Sequence, residues 1–109
     1  MDGRGLKVST RYFAVIRERL GKSLEEFELP DGSTVADFLA AFRKKYSDKV
    51  GDLFEASGLR AGFAVALNGE NIDPRTWREV SLKDGDVVVI LPPIAGGYLK
   101  LGSLTPRWP

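Results

Sequence analysis

Val87-Val88-Val89-Ile90-Leu91, followed at once by Pro92-Pro93, is the stretch on which the fold turns. An unbroken apolar run, mostly β-branched, suits a central strand. Such a strand is covered on both faces by its own chain, or on one face by a partner. The prolines end it, because neither has an N–H to give a neighbouring strand. Just ahead, Lys83-Asp84-Gly85-Asp86 reads as a tight turn; its two acids are turn chemistry rather than an oxygen cage for a metal. Near the N-terminus, Leu6 to Phe13 alternates. Leu6, Val8, Thr10 and Tyr12 fall on one face, and Lys7, Ser9 and Arg11 on the other. Period two marks a strand. The chain between these two strands is long enough for them to pair in parallel.

The intervening residues supply the rest of a two-layer design. Ala14 to Leu20 predicts a short helix ended by Gly21 in a left-handed cap. Leu24 to Leu29 predicts a strand with Phe27 and Leu29 on one side, closed by the turn Pro30-Asp31-Gly32. Thr34 is placed to cap a helix, with Asp37 three residues on to answer it. Val35, Phe38, Leu39, Phe42 and Tyr46 then form one apolar helical stripe. Arg43-Lys44-Lys45, near the end of that helix, reads as cations that answer the macrodipole rather than as a binding patch. Val50 to Leu59 predicts a helical turn or loop. Phe63 to Leu67 predicts a strand joined through Asn68-Gly69 to a brief return over Glu70 to Ile72. Pro74 to Trp77 reads as loop, with Trp77 folded onto the core edge. One amphipathic helix against a small mixed sheet is an α+β architecture.

Composition removes whole classes of chemistry. The chain has 109 residues, one domain's worth, and a near balance of 16 basic and 15 acidic side chains. That balance predicts no general attraction to nucleic acid or to an acidic membrane surface. There is no cysteine and no histidine, which excludes disulfides, zinc fingers, thiol catalysis and imidazole general bases. No apolar run approaches the ~20 residues that span a bilayer. Met1 to Gly5 is short and polar and does not read as a secretory signal, so a cytoplasmic protein is expected. No metal site and no bound cofactor are expected. The backbone offers more than the side chains. After the prolines come Ile94, Ala95, Gly96 and Gly97. Two glycines can lie extended in a channel too narrow for any side chain and deliver a terminal carboxylate into another protein. A plain linker to the remaining residues is the equal alternative at this point.

Several segments together carry a resemblance. They are Arg11-Tyr12-Phe13-Ala14-Val15-Ile16-Arg17-Glu18, Thr34-Val35, Ala66-Leu67-Asn68-Gly69, Leu82-Lys83-Asp84-Gly85-Asp86 and Leu91-Pro92-Pro93-Ile94-Ala95-Gly96-Gly97. On these the chain resembles the MoaD family, the small subunit of molybdopterin synthase, within the ubiquitin-like β-grasp sulfur carriers. The resemblance implies a mixed sheet packed on one main helix. It implies a non-catalytic carrier for molybdenum cofactor biosynthesis, whose C-terminal glycine an E1-like enzyme adenylates with ATP. A sulfur donor then converts that end to a thiocarboxylate, and a MoaE-like large subunit receives it. By motif, Gly97 is the reactive residue and Gly96 the slender neck. Pro92, Pro93, Ile94 and Ala95 form the insertion arm, and Phe13, Ile90 and Leu91 contribute to an apolar docking face. For Phe13 and Ile90 a place in the core is the competing expectation.

The chain departs from that pattern after Gly97, because twelve residues follow it. The domain layout is therefore residues 1–5 as an N-terminal lead, 6–97 as the β-grasp domain, and 98–109 as an extension. Gly97 in an amide bond cannot be adenylated. A processing protease that removes the extension, a permanent extension with another job, and an artificial appendage are the three explanations. Leu99, Leu101, Leu104 and Trp108 give the extension enough apolar character to cover the docking face until it is cut. Besides sulfur carriage, the chain fits a protein modifier joined through Gly97, a thiamin sulfur carrier, or a β-grasp interaction module without covalent chemistry.

Overall fold

The computed structural model describes residues 5–55 and 58–92. In chain order the elements are β1 (Gly5–Arg11), α1 (Ala14–Leu20), β2 (Leu24–Pro30), α2 (Val35–Lys45), α3 (Ser47–Val50), a 3-10 turn (Gly51–Leu53), β3 (Phe54–Glu55), β4 (Gly58–Leu59), β5 (Ala64–Leu67), β6 (Glu70–Asn71), a second 3-10 turn (Pro74–Thr76) and β7 (Val87–Leu91). Five strands form one mixed sheet in the order β2-β1-β7-β5-β6. The all-apolar β7 is the middle strand, parallel to β1 and antiparallel to β5. The fold is the α+β, β-grasp type that the strand order and the main helix predict.

The alternation read in β1 sets which face is inside. Leu6, Val8, Thr10 and Tyr12 are buried, and the helix stripe Val35, Phe38, Leu39, Phe42 and Tyr46 is buried against them. Phe42 is the hub. Its ring lies 5.8 Å from Tyr12, 6.4 Å from Phe27, 6.3 Å from Phe38, 5.5 Å from Tyr46 and 6.3 Å from Phe54. The helix starts where Thr34 and Asp37 place it. The Asp37 N–H donates to the Thr34 hydroxyl at 3.3 Å, and the Thr34 N–H donates to the Asp37 carboxylate at 2.9 Å. Such a cap contributes about 1 kcal/mol.

The turns follow their local chemistry. Asn68 and Gly69 both take positive φ, 53° and 87°, the pairing a two-residue hairpin requires. The Asp84 carboxylate accepts from the Lys7 N–H at 2.8 Å and that of Asp86 from the Lys83 N–H at 2.8 Å, so both acids serve the turn. Two segments differ from the sequence reading. The stretch from Val50 to Leu59 holds, besides its helical turns, the small antiparallel pair β3–β4. Strands of two residues are too short to show alternation. Pro74 to Thr76 is a 3-10 turn rather than open loop, because Asp73 caps it through the Arg75 N–H at 2.9 Å.

One polar cluster is built into the edge of the core. Glu25 accepts from the Tyr12 hydroxyl at 2.7 Å, from the Tyr46 hydroxyl at 2.6 Å and from the Lys45 ammonium. Burial by itself would raise the Glu25 carboxyl, but the bonds from Lys45, Tyr46 and Tyr12 together overcome it and hold the group down at about 2. A depressed carboxylate stabilises the fold above its unfolded value, and that contribution fades as pH falls through the folded one. The drop from 4.5 to about 2 corresponds to on the order of 3 kcal/mol. Glu25→Gln is therefore expected to lower stability by that order at neutral pH. The gap from the unsubstituted chain should close between pH 4.5 and about 2. Urea unfolding at a series of pH values measures it; a gap that is constant with pH would contradict the assignment.

Candidate functional site

The site is built where β1 and β7 end together. The two strands run parallel with Arg11 opposite Val89, and continuing that register by two residues brings Phe13 level with Leu91 and onto the same face. Ala64 stands opposite Leu91 on β5, and Leu24 opposite Arg11 on β2. All four belong to the face turned away from α2. Among the described residues, the large hydrophobic side chains that stand exposed are Phe13 (36%) and Leu24 (56%), and both are here. Leu91 is half-buried beside them. Val89 and Ala66, farther along the same face, are almost fully buried at 1% and 0%. Exposed apolar side chains gathered at one end of a sheet make that end a candidate place of contact.

Phe13 is held outward by the backbone. It is extended, with φ −128° and ψ 158°, and the next residue, Ala14, turns into the left-handed region at φ 51°. That conformation costs a non-glycine residue about 1 kcal/mol. It swings the chain off the sheet into α1, while the Phe13 carbonyl accepts from the Ile16 N–H at 3.1 Å. Phe13 thus stays on the surface, not in the core that its aromatic character suggested. Ile90 goes the other way. It pairs with Val65 on the helix side of the sheet and is 1% exposed, so it supports the site from beneath and has no surface to offer a partner.

Pro92 follows Leu91 directly and is half-buried. The chain thus leaves the sheet beside Phe13. Pro93, Ile94, Ala95, Gly96 and Gly97, the rest of the expected arm, and residues 98–109 lie outside the described residues. Leu24 was missed by sequence reasoning. The signal was available: Leu24 has the opposite parity to Phe27 and Leu29 on the same strand, and so must face away from the helix.

The comparisons bear on this geometry. The model of the ThiS family matches residues 10–97. The chain belongs to the ThiS family. That match ends at Gly97 and includes the whole arm, together with strands β2 to β7 and the end of β1. A relative, small archaeal modifier protein 3 of Haloferax volcanii, is 30% identical over 92 residues, covering 84% of this chain and all of that one. A second, the molybdopterin synthase sulfur carrier subunit of Chlamydomonas reinhardtii, is 33% identical over 92 residues, with the same coverage. In three dimensions, a Haloferax volcanii protein solved in solution superposes with a TM-score of 0.74 at 30% identity, covering 89% of this chain and 92% of that one. Relatives of the chain thus carry both carrier and modifier names. Among the described residues no helix is long and apolar enough to cross a membrane.

Proposed function

We propose that this ThiS-family chain is a sulfur carrier, the MoaD-like small subunit of a molybdopterin synthase, working through Gly97 after removal of residues 98–109. The observation that carries the reading is the exposed apolar end formed by Phe13, Leu24 and Leu91 at the point where the arm departs. A carrier that threads a glycine end into a larger subunit needs such a docking face at the root of its arm. The domain would supply no catalytic group of its own, and a cytoplasmic location fits its chemistry.

The chemistry is that of an activated acyl carbon. The Gly97 carboxylate attacks the α-phosphorus of ATP on an E1-like enzyme, and pyrophosphate leaves. Hydrosulfide released by the donor attacks the acyl carbon, AMP leaves, and the thioacid gives up its proton. The resulting thiocarboxylate keeps a nucleophilic sulfur until the MoaE-like subunit excludes water around it. Gly96 keeps the neck thin enough to pass.

The kinship with small archaeal modifier protein 3 supports a second reading, in which Gly97 is joined to lysines of target proteins. Two experiments on the chain ending at Gly97 separate them. Restored cofactor synthesis in a strain lacking its own small subunit, without covalent adducts, favours the carrier. Lysine adducts recovered from lysate, without rescue, favour the modifier.

The docking face has its own test. Phe13 is 36% exposed, so Phe13→Ala should cost on the order of 1–2 kcal/mol, well below the loss at a fully buried Phe. Affinity for the MoaE-like subunit should fall by about tenfold or more, as at an aromatic anchor of an interface. Calorimetric titration of the two subunits measures it; unchanged affinity would remove Phe13 from the interface.

A further inference from the structure

The three bases at the end of α2 divide. Lys45 turns to Glu25 and is spent inside the polar cluster. Arg43 and Lys44 instead line an open groove of about 520 Å³, together with Leu39, Phe54, Leu59 and Trp77. This size falls within the range of ligand and peptide-anchor sites. Leu39 and Phe54 belong to the core and give the groove an apolar floor, while Leu59 and Trp77 are only partly buried. The Arg43 guanidinium lies 5.1 Å above the Phe54 ring and donates to the Glu55 carbonyl at 3.2 Å. It is therefore held in place before anything binds. Among the described residues neither Arg43 nor Lys44 is in a salt bridge, and no acid lines the groove. The end of a helix carries roughly half a negative charge, which two full cations outweigh.

We propose that this groove docks an acidic segment of a partner protein, one that places an aromatic or branched apolar side chain between carboxylates. The apolar floor takes the anchor, and Arg43 and Lys44 take the flanking acids. The lining includes a tryptophan and an arginine, residue types that dominate interface energetics. The groove lies on the helical layer, whereas Phe13, Leu24 and Leu91 lie on the opposite face of the sheet. A partner held here leaves the arm and its docking face open. The proposal is independent of the sulfur-carrier reading.

The test is an NMR titration of the isotope-labelled full chain with the synthetic peptide Asp-Glu-Trp-Ile-Glu-Asp. The expected result is a shift of the Trp77 indole N–H and of the Arg43, Lys44 and Leu59 amides. Affinity should fall about tenfold in the double variant Arg43→Gln/Lys44→Gln, the combined effect of one ion pair at the half-buried Arg43 and one at the exposed Lys44. Lys44→Gln alone touches only an exposed side chain, and keeps the test valid if the double variant folds poorly; it should weaken binding by about threefold. Absence of shifts, shifts confined to the Phe13 face, or binding that Lys44→Gln leaves unchanged would each overturn the proposal.

Discussion

A chain ending at Gly97 is expected to be adenylated by an E1-like enzyme with ATP, and the chain of 109 residues is expected not to be. The difference should be all or none, because it is a difference in bonding. In the longer chain the Gly97 carbonyl is tied to the nitrogen of Tyr98, and no carboxylate oxygen exists there to attack phosphorus. The only free α-carboxylate is that of Pro109, whose ring would not fit a channel shaped for two glycines. ATP–pyrophosphate exchange, measured with both chains, reads the effect directly. Equal exchange with the two chains would place the reactive group somewhere other than Gly97.

The second large effect concerns the fold that holds the arm. Phe42→Ala should cost about 3–5 kcal/mol, because it empties the point where Tyr12, Phe27, Phe38, Tyr46 and Phe54 meet. A domain of this size has a total stability of only ~5–15 kcal/mol. Tm should therefore fall on the order of 20 °C. Thermal unfolding followed by circular dichroism measures it. A loss under about 1 kcal/mol would show that Phe42 is peripheral and that another contact sets the core. Phe13, an aromatic of equal size that is 36% exposed, is expected to show less than half of this loss, and the contrast between the two separates core from docking face.

Much of this arrangement was legible because it is encoded locally. Thr34 and Asp37 announce the main helix three residues apart, and Asn68-Gly69 announces its hairpin by backbone conformation alone. The alternation of β1 carries the inside–outside pattern to Tyr12 and, read one residue further, puts Phe13 outside. The aromatic character of Phe13 argued for the core, and parity is what decides. In β7 the same rule fails, because a strand apolar at every position has no parity to read. Only its pairings with β1 and β5 show that Ile90 faces the helix and Leu91 the docking side. The β3–β4 pair and the groove beside it were not legible. Both depend on where the chain after α2 folds back, and no single segment records that. Arg43-Lys44-Lys45 shows the limit most plainly, since three adjacent cations have two different surroundings that only tertiary structure assigns.

The account's central claim is that this domain exists to hold and present one acyl carbon. The intact mass of the protein purified from its own cells tests that most directly. The prediction is a chain that stops at Gly97, a fraction of it with one oxygen exchanged for sulfur. A protein that retains residues 98–109 in full while its pathway runs normally would contradict it.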